Sequence, residues 1–193
     1  INSLDAIGGE LNAYTDKEKV VFYASVRDHY FERAVDVLSD ITFNSVFPEN
    51  QIEKERGVIL EEMAMYFDSP DDSLQDEFEA IVFKNHPMGM NILGRKETIA
   101  SFSKRDFVSF VKNNLGTDKV VFSCVGNISP EQIERVAKIY FEPIQKTKAT
   151  TRRKRFSTYK PRELVLKRTV KQAKCAIGRD AFPLSDDRRI PMY

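Results

Sequence analysis

The sequence predicts an α+β fold in which helices pack on a mainly antiparallel sheet. Two β-type runs, 10–15 and 20–26, are joined by a short polar turn, which indicates an antiparallel hairpin. Between Tyr30 and Phe43 the apolar spacing changes to the three-and-four pattern of an amphipathic helix. Runs of both kinds recur farther along the chain, so the order of elements is that of a mixed fold.

Local signals place the other elements in order. Residues 3–7 are the last part of a helix that ends at Gly8 and Gly9, because glycine readily adopts the left-handed conformation of a helix cap. A long helix begins at Pro48 and ends near Pro70, since proline cannot continue a helix. The remaining predictions are helices at 72–83, 103–115 (capped by Ser103) and 129–141 (capped by Ser129), a loop at 86–95 and a buried strand at 120–126.

The composition changes after the last of these helices. Residues 143–162 carry many basic and few apolar residues, which is typical of an exposed linker. Strand-like runs at 163–170 and 174–178 follow. We therefore predict the major part of one domain at 1–142, a basic linker at 143–162 and the beginning of a second domain at 163–193. Because the sequence opens on Ile1 and closes without a stop signal, we expect it to be a piece of a longer protein whose start is missing.

The overall composition excludes few functions. There are 30 Lys and Arg against 29 Asp and Glu, so the formal net charge of +1 favours neither nucleic acid nor an anionic membrane as partner. A nucleic-acid arm is the sharper interpretation of the basic cluster at 146–155, but no aromatic residue is interleaved with that cluster and no RNA-binding signature accompanies it. No apolar run is long enough to cross a bilayer, so a soluble chain is expected. Cys124 and Cys175 are predicted to be buried structural thiols. The sequence does not determine the cellular compartment; the cytoplasm is favoured, with the periplasm as the alternative.

Two glutamates seven residues apart are the most informative local feature. Glu55 and Glu62 are separated by two helical turns and so lie on one face of the long helix. Apolar residues flank them on both sides: Val58 and Met65 on one, and Ile52, Ile59, Met63 and Tyr66 on the other. A carboxylate that is withdrawn from water needs a cation, hydrogen-bond donors or a metal. The pair is therefore either a structural ion-pair anchor or part of a functional site.

Three segments, 8–15, 53–63 and 93–99, together resemble the pitrilysin or insulinase family of zinc metallopeptidases. The chain is most similar to the branch of bacterial processing proteases and mitochondrial processing peptidases. The resemblance is good over 1–143 and weaker over 163–193. It implies repeated α+β domains, Zn²⁺ as cofactor and a peptide as substrate.

The resemblance also implies roles for individual residues. In this family zinc is held by the two histidines of an H-x-x-E-H helix and by a glutamate of a later E-x6-E helix. The E-x6-E pattern assigns Glu62 as a zinc ligand and Glu55 as the residue that orients a ligating histidine. The neighbouring Glu61 points toward solvent. The strand carrying Asn12, Ala13 and Tyr14 is either an ordinary edge strand or a strand to which substrate adds by main-chain hydrogen bonds.

The sequence departs from the family pattern in one respect. His29 and His86 do not lie in an H-x-x-E-H motif and are predicted to be surface or loop residues. Two zinc ligands and the general base are therefore missing, and this chain alone is expected to be inactive. The intact protein is either a zinc endopeptidase that cuts extended peptides, paired with a homologous subunit as a homo- or heterodimer, or an inactive homologous subunit that encloses substrate. A third hypothesis is that the protein is a plain α+β binding module.

Overall fold

The computed structural model describes residues 2–157, 159–169, 171–179, 181–183 and 185–192. One two-stranded antiparallel sheet follows the first short helix, and the later elements of the described chain are helices, which confirms the predicted α+β class. None of the helices in this part of the chain is long and apolar enough to cross a membrane. The elements are α1 (Asn2–Asp5), β1 (Glu10–Thr15), β2 (Val20–Ser25), α2 (Phe31–Phe43), α3 (Glu49–Asp68), α4 (Pro70–Val82), α5 (Lys96–Ser101), α6 (Lys104–Asn114) and α7 (Pro130–Phe141).

The hairpin and the helix ends form where the local signals predicted them. The carboxylate of Asp16 closes the hairpin turn by accepting hydrogen bonds from the backbone amides of Glu18 (2.8 Å) and Lys19 (2.9 Å). After α1 the chain turns through Gly8, whose φ of 71° is easily adopted only by glycine. At the start of α7 the hydroxyl of Ser129 accepts a hydrogen bond from the amide of Gln132 at 3.2 Å. The short helix α5 was not predicted.

The chain divides into two compact units, each formed from two separate stretches. The first comprises Ile1–Ile52 and Phe102–Arg152, and the second comprises Glu53–Ser101 and Arg153–Tyr193. The core of the first unit is a buried cluster of α2 and α7 residues, Phe31, Val35 and Val136, on which Phe122, Cys124, Ile128, Ile133, Tyr140 and Phe141 pack.

The two cysteines differ in their surroundings. Cys124 is half-buried against the core of the first unit, and Cys175 is exposed. The prediction of a buried thiol is therefore wrong for Cys175.

The predicted strand at 120–126 pairs with no other strand in the described chain. Phe122 and Cys124 face the core, whereas Val121 and Val125 are 87% and 99% exposed, so the burial alternates as it would in a strand. Within the described residues, no backbone hydrogen bond involves 121–127. The prediction was wrong because a strand requires a hydrogen-bonded neighbour, which periodicity alone does not supply. The described parts of 163–170 and 174–178 form no strand either, so those predictions were also wrong.

The beginning of the basic stretch is tied to the end of α6. The amide of Thr147 donates to Oγ1 of Thr117 at 2.9 Å, and that hydroxyl donates back to the carbonyl of Thr147 at 3.1 Å. The amide of Thr150 donates to the carbonyl of Asn113 at 2.9 Å. These residues are exposed or nearly so, yet their backbone is fixed by hydrogen bonds to the first unit.

Candidate functional site

The acidic pair lies on α3, the longest helix of the described chain. The helix is 20 residues long, and Glu55 and Glu62 are two turns apart, about 10 Å along its axis. The predicted helix and the shared face of the two carboxylates are therefore confirmed. Glu55 is exposed and Glu62 is half-buried, while Glu61 is exposed as expected.

The apolar residues that flank the pair are exposed or at most half-buried. Val58 is 56% exposed and Met65 is 67% exposed, and no residue of α3 is buried. The expectation that both carboxylates are withdrawn from water is thus wrong for Glu55 and only half met by Glu62. Amphipathic spacing predicts which residues share a face, but another element must cover that face to exclude water. Nothing in the described chain buries this one.

The arginine of α3 does not pair with either of these glutamates. Arg56 binds the carboxylate of Glu53 through Nη2 and Nε, at 3.0 and 3.1 Å, and this hydrogen bonding lowers the pKa of Glu53. Nη1 of Arg56 donates to the carbonyl of Ile99, which joins α3 to α5. Neither Glu55 nor Glu62 has a hydrogen-bond or ion-pair partner among the described residues. The structural ion pair that was one interpretation of these two acids is therefore formed by Glu53 instead.

The two histidines of the chain are engaged elsewhere. In the first unit, His29 is exposed and lies 3.3 Å from the carboxylate of Asp28. In the second unit, Nδ1 of His86 accepts a hydrogen bond from the amide of Met88, and its Nε2 lies 2.9 Å from the carbonyl oxygen of Lys154. This hydrogen-bond pattern places the proton of the neutral His86 ring on Nε2.

The described residues alone do not fit a zinc ion. They contain no group of three or more His, Cys, Asp or Glu side chains that could hold a metal. A protein zinc site has three or four protein ligands in tetrahedral arrangement, and Glu62 supplies at most one of them. What the structure does show is that Glu62 is a half-buried residue whose carboxylate oxygens have no hydrogen-bond or ion-pair partner among the described residues.

The strand residues singled out by the sequence lie in the first unit, on β1. Asn12, Ala13 and Tyr14 pair antiparallel with residues of β2 and are exposed. The opposite edge of β1 has no neighbouring strand in the described part of the chain. The amide of Ala13 donates to Oδ1 of Asn12 at 2.8 Å. An added peptide strand that bonded to this amide would have to displace the asparagine side chain.

A small cavity in the second unit was not predicted. Its volume is about 110 Å³, and one of its lining residues, Met63, directly follows Glu62 in the sequence. The lining residues are Met63, Tyr66, Phe67, Ser73, Asp76, Glu77, Asn91 and Leu93. Asn91 is held against α4 by a hydrogen bond of 2.6 Å from its Nδ2 to Oδ2 of Asp76. No local sequence signal indicates this contact, because it joins a helix to a loop residue 15 positions away.

Two family models together match almost the entire chain. The model described as "Insulinase (Peptidase family M16)" matches residues 1–96, which include the hairpin and both glutamates of α3. The model described as "Peptidase M16 inactive domain" matches residues 101–193. The chain belongs to the peptidase M16 family. The family predicted from the three sequence segments is thereby confirmed.

Relatives with the M16 sequence pattern include bacterial and mitochondrial proteins. The chain is 38% identical over 187 residues to "Uncharacterized zinc protease YmxG" of Bacillus subtilis (strain 168), covering 96% of the chain and 45% of the relative. It is 37% identical over 134 residues to "Probable mitochondrial-processing peptidase subunit beta" of Schizosaccharomyces pombe, covering 69% of the chain and 29% of the relative. The chain therefore spans less than half the length of each of these relatives.

Two solved structures share the fold at low sequence identity. The peptidase M16 inactive domain from Pseudomonas fluorescens superposes with a TM-score of 0.73 at 16% identity, covering 82% of this chain and 39% of that one. A protease from Helicobacter pylori superposes with a TM-score of 0.71 at 19% identity, covering 77% and 36%. These likenesses confirm the fold of the chain.

Proposed function

We propose that the whole protein is a zinc-dependent metalloendopeptidase that cuts extended peptides or unfolded segments, and that Glu62 is one of its zinc ligands. The observation that carries the proposal is Glu62, a half-buried residue whose carboxylate has no hydrogen-bond or ion-pair partner among the described residues and which lies in the segment matched by the insulinase model. Relatives named zinc proteases support the choice of metal.

Glu55 has a supporting role in this proposal. It lies two turns before Glu62 on the same face, and its carboxylate is likewise unpaired among the described residues. A carboxylate that accepts a hydrogen bond from a ligating imidazole fixes the orientation and tautomer of that ring. Because His29 and His86 are engaged elsewhere, the histidine ligands and the general base come from residues outside this sequence.

The exposed edge of β1 is the proposed substrate-binding element. An extended peptide can add to an open strand edge through main-chain hydrogen bonds, which are independent of its side chains. Asn12, Ala13 and Tyr14 would form this edge, and the side chain of Asn12 would release the Ala13 amide to the peptide.

A homologous subunit is the proposed partner. The relative from S. pombe is named a subunit of a processing peptidase, which favours assembly with a second, related chain. The same relationship supports the alternative function, a catalytically inactive subunit that encloses substrate. The two functions differ in metal content, because the inactive subunit would bind no zinc.

The test compares two adjacent glutamates in the full-length protein. Glu62→Gln removes the proposed ligand charge and should lower bound zinc from about one to near zero per active site, with loss of peptide cleavage. Glu61→Gln is the matched control. Glu61 is exposed at the position just before Glu62 on the same helix, so this variant should retain both zinc and activity. Zinc is measured by atomic emission after gel filtration, and cleavage is measured with an unstructured fluorogenic peptide.

Each outcome has a defined meaning. Undiminished zinc and cleavage in Glu62→Gln would overturn the proposal that Glu62 is a ligand. Absence of zinc and cleavage in the wild-type full-length protein, with binding to an active homologue, would establish the inactive subunit instead. Glu55→Gln should weaken zinc binding by about 10- to 100-fold without abolishing it, as expected for a residue that positions a ligand.

A further inference from the structure

Residues 146–152 of the first unit carry three cations on a backbone that the rest of the unit holds in place. We call this segment the basic edge. The backbone amides of Thr147, Ala149 and Thr150 donate to acceptors at the end of α6 and in the turn that follows it, at 2.9, 3.3 and 2.9 Å. The hydroxyl of Thr151 donates to an asparagine side chain of α6 at 2.6 Å. The basic edge therefore has a defined conformation before any partner binds.

The chain itself does not neutralise the cations of the basic edge. Lys146, Lys148 and Arg152 are exposed, and none of their side chains has a hydrogen-bond or ion-pair partner among the described residues. Lys112 and Lys119 are also exposed and unpaired within the described chain, and each lies within two residues of a group to which the edge is bonded. This surface is therefore positively charged even when the aspartate of the adjacent turn is counted.

Alternate residues of the basic edge leave their main-chain groups unused. Thr147 is bonded through both its amide and its carbonyl to a threonine hydroxyl in the turn after α6, and the amide of Ala149 donates to Oδ1 of Asp118. The amide and carbonyl groups of Lys146 and Lys148 make no hydrogen bond in the part of the chain that the structure describes. This alternation is that of a strand held along one edge, whose other edge is open to a further strand.

The chemistry of the basic edge favours a protein segment over other anions. A peptide main chain supplies both the donors and the acceptors that an open edge needs, whereas phosphodiester links supply acceptors alone. No aromatic residue lies within 146–155 to stack on a base, and the net charge of +1 gives the chain no general attraction to polyanions. Because the backbone of the edge is already fixed, little of its ordering entropy is lost when a partner binds.

We propose that the basic edge binds an acidic segment of another protein, which adds to it as a strand and pairs its carboxylates with Lys146 and Lys148. Side chains at every second position of the added strand share one face, so alternating acids match the two lysines. Exposed ion pairs are individually weak, so binding needs several carboxylates and falls as salt is added. The edge lies in the first unit and includes no residue of α3, so the proposal is independent of whether Glu62 binds zinc.

Titration of the full-length protein with labelled peptides tests the proposal. The probe is a fluorescein-labelled peptide in which Glu alternates with Thr, and fluorescence anisotropy measures its Kd at about 50 mM sodium chloride, where screening is modest. Lys146→Gln combined with Lys148→Gln should weaken binding by about three- to tenfold, because two ion pairs are lost. The charge-matched control combines Lys84→Gln with Lys96→Gln. Both of these lysines are exposed and unpaired in the described chain and lie in the second unit, so their loss should leave the Kd unchanged.

The arrangement of the acids tests the strand addition. A peptide of the same composition with its Glu residues in one block should bind at least about threefold more weakly, since only alternate side chains of a strand share a face. Equal binding of the two peptides would overturn strand addition. No binding of the alternating peptide, or the same Kd for the wild type and the Lys146 and Lys148 double variant, would overturn the basic edge as the site. Tighter binding of single-stranded DNA or of phosphatidylserine vesicles, lost in the double variant, would assign the surface to a nucleic acid or a membrane and overturn the proposal.

Discussion

The two compact units use the same kind of amphipathic helix in different ways. In the first unit, α2 buries four residues, Phe31, Ala34, Val35 and Ser39, and meets α7 in a closed apolar core. In the second unit, neither α3 nor α4 has a buried residue, although both carry apolar stripes. The comparison teaches that periodicity specifies the helix and its apolar face, whereas burial depends on a second element that covers that face. Glu62 lies on α3, one of the two helices without a buried residue.

The largest expected difference between the units comes from truncating their apolar side chains. Phe31 is 6% exposed in the core of the first unit, so Phe31→Ala should lower the free energy of unfolding by about 3–5 kcal/mol. Val58→Ala on α3 should change it by no more than about 0.5 kcal/mol, because Val58 is largely in water. Urea unfolding followed by far-ultraviolet circular dichroism measures both. A comparable loss in the two variants would show that the face of α3 is covered in solution and would break the comparison.

Elements whose signals are local were predictable from the sequence. Ser103 and Ser129 cap α6 and α7, and Gly8 follows α1, because a cap requires only a few consecutive residues. The outcome at 120–126 was not predictable in this way, since strand pairing depends on a neighbour that the local pattern does not identify. The same limit applies to burial along α3.

The candidate site shows the same division. The sequence places Glu55 and Glu62 on one helical face, and the structure confirms that placement. The pairing of Arg56 with Glu53 has a local signal that the sequence analysis missed, because residues three apart are neighbours on a helix surface. The contact of Arg168 with Ser73 joins residues 95 positions apart and has no local signal. Contacts between residues far apart in the sequence are therefore the part of the site that local patterns do not predict.

A pair of glycine substitutions should give changes of opposite sign in the two units. A Cβ on Gly116 would overlap the backbone nitrogen of Ala149, so Gly116→Ala should destabilise the protein by about 1–3 kcal/mol. Gly57 lies inside α3 with no atom within 4 Å of its added Cβ, so Gly57→Ala should stabilise it by about 0.5–1 kcal/mol. Urea midpoints at constant slope measure both changes. If Gly57→Ala destabilised the protein, another group would have to lie close to Gly57, which would contradict the exposure of this residue.

The smallest expected effects are electrostatic and should have the same sign in both units. In the first unit, Oδ2 of Asp106 accepts hydrogen bonds from the hydroxyl (2.6 Å) and the amide (2.8 Å) of Ser103. These bonds, the hydroxyl first, lower the pKa of Asp106. In the second unit, the hydrogen bond from Arg56 lowers the pKa of Glu53.

A carboxyl whose pKa is lower in the folded protein stabilises it fully above the pKa of the unfolded chain, about 4 for these side chains. The contribution is lost as the pH falls through the lower, folded value. The stability difference between wild type and Asp106→Asn should therefore be constant above about pH 5 and shrink below about pH 4, and Glu53→Gln should behave in the same way. Urea midpoints at successive pH values measure both curves. A difference that widened toward acid for either variant would mean that its carboxyl pKa is raised by folding. Curves of the same form would show that an exposed carboxyl held by hydrogen bonds responds to pH in the same way in both units.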